Sequence, residues 1–220
     1  MIIYAKIYYF CRMNKDLSSL GNTPVSAGAL LSLYPELSGG LQKLSALEKA
    51  GDIMRLKRGL YIVSPKISHQ RASLGLIANH IYAPSYISMY SALRWYGLIP
   101  EKVVTVQSVT IKRSRSFSNV FGQFDYVRTN RDYFSVGLRI EESENTYYVI
   151  ASPEKALCDL IIHTPAVNLR YKKEAREYLE EDLRLDMDAF YHFDINILKQ
   201  CAQLGKKRNS IETIIKLAEL

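Results

Sequence analysis

The stretch Leu41–Val63, LQKLSALEKAGDIMRLKRGLYIV, decides how the chain is read. Leu41, Leu44, Leu47 and Ala50 recur at three-residue intervals, which is one face of a helix. The pattern breaks at Gly51-Asp52 and gives way to short β-rich runs on either side of Lys57-Arg58-Gly59. A helix followed by a two-stranded ribbon with a cationic tip is how a winged helix-turn-helix ends. Double-stranded DNA is therefore the first partner to consider.

Working upstream, Val25–Tyr34 (VSAGALLSLY) reads as a short helix with Leu30, Leu31 and Tyr34 toward a core. Pro35 stops it, because proline cannot continue a helix interior. Pro35-Glu36-Leu37 has the length of a helix-turn-helix turn, and Ser38 suits the N-cap of the next helix. If Leu41, Leu44 and Leu47 are buried, Gln42, Lys43, Ser45 and Lys49 lie on the outer faces. Glutamine pairs bidentately with adenine and lysine donates to guanine or phosphate. Ser38, Gln42, Lys43 and Ser45 are thus expected at base edges, and Lys49, Arg55, Lys57 and Arg58 at phosphates, which position without specifying. Ile3, Ile7 and Phe10 have the spacing of a first helix, so the unit spans residues 1–66. Many such modules bind protein or are only structural, and a basic face is often just solvated.

The net charge of +7 over 220 residues is uneven. Residues 1–68 carry nine Lys/Arg against four Asp/Glu, residues 69–163 ten against eight, and residues 164–220 ten against ten. Within the middle block, Lys102–Arg139 holds seven basic and two acidic residues, a second basic region. Such excess predicts salt-sensitive attraction to polyanions. Cys11, Cys158 and Cys201 are odd in number and lack metal-type spacing, which suits inert thiols in a reduced cytoplasm. Met1–Phe10 is apolar but short, contains Lys6 and lacks a small-residue cleavage site, so neither a signal peptide nor a membrane span is expected.

Residues 67–220 read as a second, mixed unit. Gln70–Tyr82 reads as a helix, and a further helix is expected from Ser85, ending at Gly97. β-Branched runs over about 103–150 predict four or five strands in a mostly antiparallel sheet. Ser152-Pro153-Glu154 opens a helix with a capping serine, proline at the first position and an acid at the positive end of the dipole. From there the tail, 152–220, is helical, with Lys173/Glu177 and Arg176/Glu180 as i,i+4 pairs on its wet side. The fold class is α+β: a winged helix-turn-helix, then a sheet, then helices.

No catalytic constellation emerges. His69, His80, His163 and His192 are scattered without metal-pair spacing, and neither a phosphate loop nor a nucleophile elbow is present. Glu154-Lys155 are adjacent on a helix, whereas a metal-dependent nuclease needs an acid and a lysine one residue apart on a strand. No metal or cofactor is expected.

Three further stretches carry a family resemblance. They are the wing ending Arg58-Gly59-Leu60-Tyr61, the central block PSYISMYSALRWYGLIPE (84–101) with SVTIKRSRSF (108–117) and FGQFDY (121–126), and IASPEKALCDL (150–160). Together they resemble the AbiEi family, the antitoxins and transcriptional regulators paired with nucleotidyltransferase toxins in bacterial type IV toxin–antitoxin (abortive infection) systems. The resemblance implies a non-enzymatic autorepressor, monomeric or weakly dimeric, binding operator repeats in its own promoter. It also implies a C-terminal unit that counters the toxin, with direct contact left open. On this view Lys112, Arg113, Arg115 and Arg128 form a second positive surface serving nucleic acid or antitoxin action. The aromatic start, Ile2–Phe10, departs from the family pattern. The other readings are a nucleic-acid-processing enzyme targeted by the winged helix, and an interaction module that binds a protein partner.

Overall fold

The computed structural model describes residues 17–35 and 39–219, so the expected first helix around Ile3–Phe10 and the capping Ser38 lie outside the described residues. The chain is α+β, with a mostly antiparallel sheet and a helical C-terminal part. Among the described residues no helix is long and apolar enough to cross a membrane.

The N-terminal elements are β1 (Val25–Ser26), α1 (Ala27–Ser32), α2 (Gly40–Ala50), β2 (Ile53–Lys57) and β3 (Leu60–Val63). The expected helix from Val25 starts two residues later. Val25 and Ser26 instead pair with Tyr61 and Leu60, giving a three-stranded sheet of order β1-β3-β2. Ser26 then caps α1, accepting from Ala29 N at 3.1 Å. Helix α2 stops at Gly51, whose φ of 74° is the left-handed conformation that glycine adopts without steric cost. Leu44 and Leu47 are buried with Leu17, Leu30, Ile53, Tyr61 and Val63 in a small core. Leu41 is 81 % exposed, which corrects its expected place on the buried face. At 3.6 residues per turn, three-residue steps drift around the helix, so Leu41 lies off the face that carries Leu44 and Leu47.

The hairpin β2–β3 has a second buried face. Leu56 and Ile62 belong to the large core of the rest of the molecule, while their neighbours Ile53, Tyr61 and Val63 belong to the small one. Strand alternation thus makes this ribbon a shared wall between two cores. Asn119 Nδ2 donates to Leu56 O at 3.1 Å across the junction, and the buried Asn22 donates to Arg71 O and Glu144 O at 2.8 and 3.0 Å.

Next come α3 (Pro65–Ser68), α4 (Leu74–Ile81), β4 (Ser85–Ile87), α5 (Met89–Trp95), β5 (Thr105–Thr110), β6 (Arg115–Asn119), β7 (Gly122–Arg128), α6 (Arg131–Phe134), β8 (Leu138–Ser143) and β9 (Thr146–Ala151). The six-stranded sheet has the order β6-β7-β5-β4-β9-β8. Pairs β4–β5, β6–β7 and β8–β9 are antiparallel, while β4–β9 and β5–β7 are parallel. Strand β4 corrects the expected helix start at Ser85. Tyr86 pairs with Val109 and Ile87 with Ile150, so the sheet claims three residues whose apolar run fits either element. Helix α4 begins at Leu74, capped by Ser73, rather than at Gln70. Gly75 is required where α4 crosses β9, because a Cβ there would lie 2.6 Å from the Tyr148 ring.

The tail holds α7 (Pro153–His163), α8 (Lys172–Glu177), a π-helical turn (Tyr178–Asp182), α9 (Met187–Phe190), α10 (Ile195–Leu204) and α11 (Arg208–Ala218). Helix α7 starts as expected, Ser152 Oγ accepting from Lys155 N. Glu154, the acid expected at the positive end of the dipole, is buried and accepts from Asp194 N at 3.0 Å, capping the entry to α10. Lys173–Glu177 and Arg176–Glu180 pair on the surface.

Within α7, Lys155 and Asp159 form an ion pair at 3.3 Å with both side chains 0 % exposed. Lys155 Nζ also donates to Tyr133 O at 2.9 Å and lies over the Tyr133 ring. Ser88 Oγ donates to Asp159 Oδ2 at 2.6 Å. Burial pushes the Lys155 ammonium below its ordinary pKa, against the pull of Asp159. Burial and then Asp159 push the phenols of Tyr86 and Tyr133 well up.

The turn Lys206-Lys207-Arg208 is not simply solvated. Lys207 Nζ donates to the carbonyls of Ile161, Thr164 and Val167, closing the exposed end of α7. Lys207→Ala is expected to lower the unfolding free energy by about 1–3 kcal/mol, because three carbonyls lose a charged donor. Lys206→Ala is expected to stay within about 0.5 kcal/mol. Urea titration of both variants checks this, and equal midpoints would count against the clamp.

Candidate nucleic-acid interface

Burying Leu44 and Leu47 turns the opposite side of α2 outward, so Gln42, Ser45 and Lys49 are exposed. The Gln42 side chain lies across Gly39. Lys43 is half-buried, its ammonium 4.8 Å from the centre of the Tyr34 ring. Arg55 is exposed and held in place, with a 2.8 Å ion pair to Glu48 of α2 and its guanidinium 5.6 Å from the Tyr61 ring. Arg58 is exposed at the tip and forms neither an ion pair nor a side-chain hydrogen bond among the described residues.

Lys57 goes elsewhere. The ladder pairs Arg55 with Tyr61 but Lys57 with Leu60, so a β-bulge sits at Leu56-Lys57. A bulge re-aims the side chains of the strand that carries it. Lys57 turns to the junction side, where Nζ donates to Ile81 O at 2.6 Å. Lys112 donates to Ala83 O, and Tyr126 Oη donates to Ala78 O at 2.6 Å. Three donors therefore serve carbonyls in and just beyond the last turn of α4, where a helix leaves its carbonyls unpaired and its dipole favours cations.

This arrangement brings Lys57 of the first basic region beside Lys112 and Arg115 of the second. Lys112 and Arg113 lie in the turn after β5, Arg115 opens β6 and Arg128 closes β7, all at one end of the sheet. Strand β2 packs beside β6, and the pKa of Lys57 is lowered by burial first and then by the charges of Lys112 and Arg115. Aromatic rings lie between the cations. Tyr82, Phe117 and Tyr126 meet with centroids 5.4–5.7 Å apart, Lys112 lies over Tyr82 at 5.3 Å, and Arg115 over Phe117 at 5.0 Å. Among the described residues, Arg113 and Arg128 have no side-chain partner, whereas Arg176, Arg184 and Arg208 in the tail are matched to Glu180, Glu101 and Glu212.

Sequence reasoning missed the rings of Tyr82, Phe117 and Tyr126 because they come from separate elements joined only by the tertiary fold. The available signal was aromatic residues beside each basic one, as in Lys112–Phe117. Among the described residues no cluster of His, Cys, Asp and Glu is arranged to hold a metal ion. No protein-family model matches the chain, and no curated protein matches it.

Proposed function

We propose that the N-terminal unit is a winged helix-turn-helix that binds double-stranded DNA, within a transcriptional autorepressor of the AbiEi antitoxin type. The observation that carries this reading is the outward face of α2. There Gln42, Ser45 and Lys49 are exposed, Arg58 is exposed and unpaired among the described residues at the hairpin tip, and Lys57 of the same hairpin lies in the field of Lys112 and Arg115. Helix α2 is the reading element and the hairpin tip lies on the backbone. The sheet end supplies further phosphate contacts. The C-terminal unit counters a nucleotidyltransferase toxin, and the protein itself performs no catalysis.

Titrating the full chain against its own promoter fragment tests the reading. Gln42→Ala is expected to cost about 1–3 kcal/mol on the operator and to relax preference at one or two base pairs. Arg58→Ala is expected to weaken all sequences alike and to flatten the salt slope by about one. Lys57→Ala is expected to affect stability more than affinity, since its ammonium is bound to Ile81. If the first two variants bind the promoter like the parent, α2 and the tip do not read DNA.

A further inference from the structure

The end of β7 and the turn between α10 and α11 enclose a cleft of about 300 Å³, lined by Arg128, Thr129, Asn130, Ile162, His163 and Lys206. We propose that this cleft is a binding site for a phosphate group. Its lining carries two full positive charges, a histidine and a hydroxyl, and no carboxylate. At about 30 Å³ per water, the volume admits a phosphate together with part of the group esterified to it.

The two walls are built into the fold. Asn130 Nδ2 donates to Leu204 O at 3.1 Å, tying the β7–α6 corner to the end of α10. Its Oδ1 accepts from Tyr133 N at 2.7 Å. Lys207 fastens the following turn to the end of α7, so its neighbour Lys206 stands beside His163. The main chain of Arg128 is held by Ser114 Oγ at 3.0 Å. These bonds fix the backbone and leave the charged ends unused. Neither the Arg128 guanidinium nor the Lys206 ammonium has a hydrogen bond or ion pair among the described residues, although Arg55, Arg94, Arg176, Arg184 and Arg208 each have one.

Arg128 and Lys206, both exposed and both on the lining of one cleft, place two positive charges where an anion is attracted. The planar fork of arginine and the point charge of lysine suit the oxygens of a phosphate. His163 registers the same field. Its pKa is held below the ordinary value by burial first, with Lys155, Lys206 and Lys207 adding to the effect and Asp159 opposing it. A bound dianion would oppose these cations and raise that pKa. A nucleic-acid strand and a free nucleotide offer the same phosphate chemistry, and the site stands whether or not α2 reads bases.

The test is an NMR titration of the isotope-labelled full chain at fixed ionic strength with inorganic phosphate, a nucleoside 5′-monophosphate and a DNA duplex, with chloride as reference. Phosphate is expected to raise the pKa of His163 and to shift the amides of Thr129 and Asn130. Arg128→Gln and Lys206→Gln are each expected to weaken phosphate binding about tenfold or more, while Arg170→Gln leaves it unchanged. Parallel losses for the duplex assign the phosphate to a strand, and losses confined to the monophosphate assign it to a free nucleotide. The proposal is overturned if phosphate moves His163 no further than chloride does, or if both glutamine variants bind phosphate like the parent. Gln42→Ala is expected to leave the phosphate titration untouched, so failure of the DNA reading and failure of this site are separable.

Discussion

Replacing Lys155 by methionine is expected to cost about 3–5 kcal/mol of unfolding free energy, enough to leave a domain of ordinary stability close to unfolded. The change is nearly isosteric, so it creates little cavity. What it removes is the counter-charge of Asp159, whose carboxylate is 0 % exposed. Ser88 still donates to Oδ2, but Oδ1 has no hydrogen bond of its own and relies on the ammonium. The carboxylate must then take up a proton or drag water into a packed core, and both are costly. The Tyr133 carbonyl also loses its donor. The double variant Lys155→Met/Asp159→Leu is expected to recover most of the loss, because it removes both desolvated charges. Chemical denaturation of the parent, both singles and the double completes the cycle. A double variant as weak as Lys155→Met would mean that the pair contributes something other than mutual neutralisation.

The second large effect is alkaline unfolding. Tyr86, Tyr126 and Tyr133 are buried, and burial pushes all three phenols up, with Asp159 adding to the first and last. An unfolded tyrosine loses its proton near pH 10. Above that pH the folded state therefore holds more protons than the unfolded one, and stability falls as pH rises. Each phenol contributes about 1.4 kcal/mol per pH unit, so three together give about 4 kcal/mol per unit. The Cys158 thiol, also raised by burial, acts in the same direction. Lys155, whose pKa is lowered, acts oppositely as pH rises toward about 10.4 and contributes no slope beyond it. The phenols outnumber it. Stability is expected to be fully present below about pH 10 and to collapse within one to two pH units above it. Tyrosinate absorbance and circular dichroism followed together provide the check. If all sixteen tyrosines titrate smoothly while the dichroism persists, the buried phenols are not protected.

Some of this was legible in the sequence. The opening of α7 was, because Ser152-Pro153 is a local signal that needs no partner. So was the helix-to-hairpin change at Gly51-Asp52, where period and turn chemistry agree. The strand Ser85–Ile87 was not, since only the ladder with Val109 and Ile150 distinguishes it from helix. Lys155/Asp159 has the same i,i+4 spacing as Lys173/Glu177, yet one pair is sealed in the core and the other is wet. Spacing sets which side chains meet, and the rest of the fold sets what medium they meet in. The candidate site divides in the same way. Gln42, Ser45 and Lys49 follow from helical period, while Lys57 depends on a bulge that no pattern announces and Arg128 gains its neighbours His163 and Lys206 only through the clamped turn.

That bulge has a mechanical consequence. It turns a residue that could have served as a free contact into a strut from the hairpin to the last turn of α4, with Asn119 and Asn22 as further stays. A head mounted on a flexible linker can search and adjust its angle to a target. A head whose hairpin is also a wall of the body cannot pivot without opening the body's core. The hairpin is therefore built as part of the body rather than as a hinged head. On the proposed DNA-binding reading, the spacing between the tip at Arg58 and the cations at the end of the sheet is then set by packing, and a duplex would have to match it or bend to it.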